Sequence, residues 1–287
     1  MDGKVAFITG GGRGQGRSHA LRLAAEGARI VICDLGHDVD ACPYPLSTEA
    51  DMAETVRLVE ERDQRCLSAI ADVRDEAALT TLAERAMSEF GRIDVVCANA
   101  GIASIGSYDI PAEHWDQVLD INLKGVWLAC KAAIPHMIAG GQGGSIVMTS
   151  SAAGLNPFYN FMAYTAAKHG VIGLMRSLAA ELAPHSIRVN AICPTMVNTG
   201  MIRNEAIQNL FAGKESGATP EDIEFPAKTL NLLPVSLIEA VDLSNAVLYL
   251  SSEEGRYVTG VALPVDAGST IQPAGIPPWS FEALMGG

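Results

Sequence analysis

Seven short apolar runs recur along the chain, at Val5–Thr9, Arg29–Asp34, Cys66–Asp72, Asp94–Asn99, Ser145–Ser150, Arg188–Cys193 and Val261–Asp266. Most carry β-branched residues and are apolar on both alternating faces, as expected of strands buried on both sides in a parallel sheet. Between them lie segments with helical period: Gly16–Glu26, Glu49–Asp63, Glu76–Phe90, Ala112–Ile138, Ala163–Leu182 and Glu239–Ser251. This alternation predicts an α/β fold, a doubly wound seven-stranded parallel sheet with helices on both faces and right-handed crossovers. No shift in composition marks a linker, so residues 1–287 are read as one domain.

Three stretches break the rhythm. Residues 36–48 hold Pro43 and Pro45 and insert a loop between the second strand and its helix. Residues 199–234 mix Met201, Ile202, Leu210 and Phe211 with polar neighbours. A connection that long inside a compact domain reads as a lid over a substrate. The tail, residues 272–287, carries Pro277, Pro278 and Trp279; it either covers a site, packs on a neighbouring subunit or frays.

Composition narrows the partners. Hydrophobic residues make up 48% of the chain and charged ones 18%, enough apolar material for a large core. A net charge of −13 argues against nucleic acid or an anionic membrane, both of which need clustered Lys and Arg. No apolar run is long enough to span a bilayer, and strand-like sequence starts almost at Met1, leaving no room for a signal peptide. Six cysteines without CxxC spacing fit a reducing cytoplasm better than disulfides or zinc, and six histidines show no ligand spacing.

The first run leads into Thr9-Gly10-Gly11-Gly12-Arg13-Gly14-Gln15-Gly16, which opens a helix. Glycines here let the backbone approach a pyrophosphate, whose charge a helix N-terminus stabilises. Asp34 ends the next run, with Leu35 after it, at the spacing where a carboxylate holds the adenosine ribose hydroxyls. A helix-capping role for Asp34 is the plainer alternative. Its negative charge would repel a 2′-phosphate, favouring NAD over NADP, although Arg13 could contact that phosphate. A phosphate-binding loop of the NTPase kind also fits Gly11-x4-Gly16-Arg17-Ser18 in outline, but Arg17 stands where that motif requires Lys.

The fifth run ends at Ser150-Ser151, and Tyr164-Thr165-Ala166-Ala167-Lys168 follows. Tyr and Lys four residues apart share a helix face, so an ammonium can draw the phenol pKa toward a useful range for acid/base work. On a surface helix the same pair would be inert.

In these pieces the chain resembles the short-chain dehydrogenases/reductases, with their Rossmann-type sheet. Besides the glycine turn, the matching residues are Asp72-Val73, Asn99-Ala100-Gly101, Asn122, Ser151, Tyr164-x3-Lys168 and Pro194-Thr195-x-Val197-x-Thr199. The resemblance implies that Tyr164 exchanges a proton with the substrate oxygen and that Ser151 positions that oxygen. Lys168 would lower the Tyr164 pKa and hold the nicotinamide ribose, and Asn122 would maintain a water-linked proton path from Lys168. Gly10, Arg13, Gly14, Gln15, Gly16, Asp34 and Leu35 would bind the cofactor. Asp72 and Val73 would meet adenine; Asn99, Ala100, Gly101, Pro194, Val197 and Thr199 would line the remainder of its site. Thr195 departs from the family, which commonly has Gly there.

Tyr44-Pro45-Leu46-Ser47-Thr48 and the helix after it are similar to the actinobacterial subgroup that includes carveol dehydrogenase and the mycofactocin-coupled dehydrogenases. That likeness implies tightly held NAD, apolar alcohol substrates, a dedicated redox partner to reoxidise NADH, and residues 36–48 folded over the adenosine. The superfamily likeness implies a homotetramer. Leu155, Pro157, Phe158, Tyr159, Phe161 and Met162, with Met196, Met201, Ile202 and Phe211, suggest an apolar pocket for a secondary alcohol or ketone, although half of them could be ordinary core. The competing readings are an NADP-dependent 3-oxoacyl reductase, disfavoured by Asp34 and the insertion, and a non-catalytic NAD-binding regulator, disfavoured by the intact Asn122, Ser151, Tyr164 and Lys168.

Overall fold

The computed structural model describes residues 1–273. Its seven-stranded sheet runs β3-β2-β1-β4-β5-β6-β7, every neighbouring pair parallel. The strands are β1 (Val5–Thr9), β2 (Arg29–Asp34), β3 (Cys66–Ile70), β4 (Val95–Ala98), β5 (Gly144–Thr149), β6 (Ile187–Pro194) and β7 (Ala262–Val265). Strand order reverses between β1 and β4, and that switch point opens a crevice beyond their carboxyl ends.

Alternation along each strand feeds two cores. Val5 and Phe7 face a layer with Leu79 and Leu82 of α3 (Glu76–Phe90), Leu128 of α5 (Gly125–Gly140) and Met175 of α6 (Met162–Leu182). Ala6 and Ile8 face the opposite layer, with Leu23 of α1 (Gly14–Ala24), Val59 of α2 (Glu49–Glu60) and Leu250 of α9 (Ala240–Ser251). Phe7, Ile8 and Leu23 are fully buried, each contributing about 1.5–3 kcal/mol relative to exposure. With both faces covered, the sheet holds its carboxyl edge rigid for the site.

Three differences from the sequence pattern have physical reasons. The expected third strand stops at Ile70, because the chain turns after Ala71 N–H bonds Asp34 O at 2.9 Å. The expected helix over Ala112–Ile138 is two helices, α4 (Ala112–Leu119) and α5, joined by a wide π-helical turn over Asp120–Lys124. Asn122 in that turn is fully buried and uses its side chain to grip a neighbouring loop, and a widened turn aims it there. The third difference is α7 (Glu205–Ala212) and α8 (Glu224–Thr229) within 199–234. Of the tail set apart in the sequence, residues 274–287 lie outside the described residues; Gln272 Nε2 donates to Thr229 O at 2.8 Å.

Candidate active site

The glycine turn lies between β1 and α1 at the switch point. Gly10 has φ +68°, and a Cβ there would come within 2.9 Å of Ala100 Cα, so only glycine allows this approach of the turn to the segment after β4. No side chain caps α1, which leaves its first-turn N–H groups available to an anion in the crevice. Gly16, expected to bind cofactor, does not line the crevice: a Cβ there would lie 2.0 Å from Gly10 O, so its glycine serves packing within the turn.

One end of the crevice is a trough lined by Gly10, Arg13, Gly14, Asp34, Leu35, Asp72, Val73 and Ala100. Asp34 Oδ2 accepts from Gly12 N–H and Oδ1 from Leu35 N–H, each at 2.9 Å. Burial raises the Asp34 carboxyl pKa, and these two N–H groups, the Ser47 hydroxyl and Arg13 pull it back without fully compensating. Arg74 grips the Asp72 carboxylate through Nε and Nη2, at 2.8 and 2.6 Å to Oδ2. Burial would raise that carboxyl, but Arg74 outweighs it and holds the pKa below the ordinary range.

Arg17, the residue that brought a phosphate-binding loop to mind, points away from the trough. Its guanidinium bonds Gly12 O at 2.5 Å, Thr55 Oγ1 at 2.9 Å and Asp51 O at 2.9 Å. It ties α2 to the glycine turn and offers no cation to a phosphate.

Residues 36–48 form part of the trough wall through Tyr44, Leu46 and Ser47, none of them singled out as a site residue from sequence. The Arg13 guanidinium donates to Pro45 O. Tyr44, buried, accepts a hydrogen bond at its hydroxyl from Ala103 N–H, 2.9 Å away. The available signal was the Tyr44-Pro45-Leu46-Ser47-Thr48 segment within the insertion.

At the other end a cavity extends over Ser151, just past β5, and over Tyr164 and Lys168 of α6. Burial raises the Tyr164 pKa above its ordinary value, and the neighbouring Ser151 hydroxyl lowers it without fully compensating. Lys168 Nζ lies 5.5 Å from the ring centroid and donates to Thr149 O at 2.8 Å. Burial brings the pKa of Lys168 itself down to about 8.

Asn122 Oδ1 accepts from Ile102 N–H at 2.8 Å and Nδ2 donates to Ile102 O at 2.7 Å. Both polar atoms thus brace the loop after β4. A Cβ on Gly101 would lie 3.2 Å from Asn122 Oδ1 and 3.4 Å from Lys168 Nζ, so Gly101 fills the space where the two approach.

The cavity wall is apolar, formed by Phe158, Phe161, Met196, Met201, Ile202 and Phe211, with Ile207 added from α7. Four other residues expected there lie elsewhere. Tyr159 is 97% exposed, Met162 and Pro157 are exposed, and Leu155 packs against the core. Pro194 and Val197 line this cavity, and so does Thr195, whose hydroxyl donates to Asn231 Oδ1 at 3.1 Å. The side chain that replaces the usual Gly thus fastens the end of β6 to the far end of residues 199–234. Trough and cavity meet at Gln15, Asn99, Gly101, Thr199 and Met201, which line both.

A seven-stranded parallel sheet with a glycine turn at its switch point and a Ser–Tyr–Lys group beside it defines a dinucleotide-dependent oxidoreductase. A model of the short chain dehydrogenase family matches residues 4–209, and the chain belongs to that family. It is 52% identical over 274 residues to (-)-trans-carveol dehydrogenase of Rhodococcus erythropolis, covering 95% of this chain and 99% of the relative. Among solved structures it is similar to a carveol dehydrogenase from Mycobacterium avium in complex with NAD, with a TM-score of 0.93, 48% identity, and 95% and 99% of the two chains covered. A short chain dehydrogenase from Mycobacterium paratuberculosis bound to NAD gives a TM-score of 0.86 at 39% identity, covering 94% of this chain and 99% of that one.

Proposed function

We propose that this short-chain dehydrogenase uses NAD to interconvert an apolar secondary alcohol and its ketone, with Tyr164 as the proton-transfer group. The observation that carries the reading is the placing of Ser151, Tyr164 and Lys168 together at the polar end of an apolar cavity that opens onto the Asp34 trough. NAD fits the residues present. Asp34 offers its carboxylate to ribose hydroxyls, its charge disfavours a 2′-phosphate, and the uncapped start of α1 suits a pyrophosphate. NAD, when bound, supplies the hydride acceptor at the junction of the two spaces.

The protein's part is to hold and move a proton. Ser151 orients the substrate oxygen by hydrogen bonding; in reduction Tyr164 Oη gives its proton to the ketone oxygen, and in oxidation the Tyr164 phenolate, its own proton first released to solvent, takes the hydroxyl proton. Burial keeps Tyr164 protonated at neutral pH, which suits it as an acid toward a ketone. Lys168 stands below as a buried donor for ribose hydroxyls, and Asn122 holds the loop beside it. The apolar wall excludes water and selects a hydrocarbon-rich substrate, such as a cyclic terpenoid alcohol of the carveol type.

Residues 36–48 cover the adenosine end and slow NAD release, and 199–234 act as the substrate lid. A homotetramer in the cytoplasm, with a dedicated partner that reoxidises bound NADH, completes the reading. The deciding experiment combines mass spectrometry of nucleotide released from the purified protein with turnover of carveol-type alcohols using an artificial electron acceptor. Bound NAD with turnover that is lost in Tyr164→Phe supports the reading; an empty protein preferring NADP overturns it.

A further inference from the structure

One polar atom at the junction of trough and cavity is left without a partner. Gln15, in the first turn of α1, lines both spaces, and its Oε1 is shielded from solvent with no hydrogen-bond partner among the described residues. A buried acceptor left unpaired is costly, and such atoms persist where a ligand supplies the missing donor. The chemistry around it narrows that donor. The cavity's polar end, Ser151 with Tyr164, already accounts for the single oxygen of a secondary alcohol. Phe158, Phe161 and Met196 offer the rest of such a substrate only hydrocarbon contact. Resting on the NAD reading above, the group that must reach the junction is the nicotinamide ring, and its carboxamide carries N–H donors.

We infer that Gln15 Oε1 accepts a hydrogen bond from the nicotinamide carboxamide N–H, making Gln15 a specificity residue for that carboxamide. The contact fixes the rotation of the ring about its long axis, and with it the face turned toward the alcohol carbon above Ser151. Thr199 and Met201 share the junction, and the Thr199 hydroxyl donates to Val197 O at 3.4 Å.

The test compares three dinucleotides by titration calorimetry on nucleotide-free wild type and Gln15→Met. NAD and its thionicotinamide analogue keep the N–H donors, whereas the 3-acetylpyridine analogue replaces the amide nitrogen with a methyl group. One neutral hydrogen bond corresponds to about two- to tenfold in affinity. Wild type is expected to bind the acetylpyridine analogue that much more weakly than the other two, and Gln15→Met to bind all three alike. Melting without dinucleotide should be unchanged or higher in Gln15→Met, since the unpaired acceptor is gone. Equal weakening toward all three dinucleotides in the variant would place the contact on the ribose or pyrophosphate and overturn the inference. So would a change confined to the alcohol KM, or a fall in the melting temperature of the nucleotide-free variant. Wild type binding none of the three would instead overturn the NAD reading itself.

Discussion

Tyr44 and Ala103 are 59 residues apart in sequence, yet the Tyr44 hydroxyl takes the Ala103 N–H at 2.9 Å and joins the wall of the trough to the wall of the substrate cavity. Replacing Tyr44 with Phe strips a buried N–H of its acceptor. The expected cost is about 1–3 kcal/mol of stability. NAD release should also quicken, because residues 36–48 lose an anchor on the opposite side of the crevice. Thermal melting and the rate of nucleotide release after dilution check the two parts; a release rate equal to wild type would refute the second.

Lys168 makes stability depend on pH in the alkaline range. Burial lowers its pKa from about 10.5 in the unfolded chain to about 8 in the folded one, so between those values the unfolded state binds the extra proton. Stability from this group therefore rises with pH across that window, by up to about 1.4 kcal/mol per pH unit. Compared with Lys168→Met, wild type should gain stability steadily between pH 8 and 10.5. Chemical denaturation at several pH values measures this, and parallel curves would show that Lys168 carries no buried charge.

Asp34 is expected to discriminate between dinucleotides. Asp34→Ala removes the charge facing the 2′ position and leaves Arg13 in place, so NADP binding should strengthen. NAD binding should weaken by about tenfold, in line with about 1.5 kcal/mol for a hydrogen bond to a charged group. Direct binding measurements with both cofactors settle the point; an unchanged ratio would count against Asp34 as the discriminator.

Thr195→Gly restores the residue common in the family and should cost this protein its lid anchor. Asn231 is fully buried, and without the Thr195 hydroxyl its Oδ1 loses a donor while Nδ2 still holds Val235 O at 2.7 Å. The expected result is a several-fold rise in the alcohol KM, with NAD affinity within twofold of wild type. Steady-state kinetics beside nucleotide titration separates the two; a shift in NAD affinity alone would argue that the contact serves the cofactor instead.

Much of the architecture was legible in the chain, because parallel strands buried on both faces are uninterrupted apolar runs. Placement of Asp34 at a strand end and of Tyr164 with Lys168 on one helix face followed from spacing. What spacing could not reveal was direction. Phe158 and Phe161 turn inward while Tyr159 between them turns out, because the loop carrying them follows no regular period. Arg17 told against a phosphate-binding loop in the sequence, but where its guanidinium goes, to Gly12 and Thr55 across up to 38 residues, was not legible there. The Tyr164 pKa shows the same limit: i,i+4 spacing brings Lys168 near, but burial depth, the largest influence on that phenol, is a tertiary property.

Gly12 has one more consequence. Its N–H is held by Asp34, at the end of β2, and its carbonyl by Thr55 and Arg17, the first of them in α2. The stretch from β2 to α2 therefore leaves from and returns to one residue, like a handle riveted twice to the same plate. Lengthening such a handle adds only loop-closure entropy, about 0.6 kcal/mol for a doubling, and leaves the plate where it was. Insertions of different sizes can be accommodated at this position without disturbing the turn beneath them, so this part of the trough wall can be remodelled independently of the other end of the crevice.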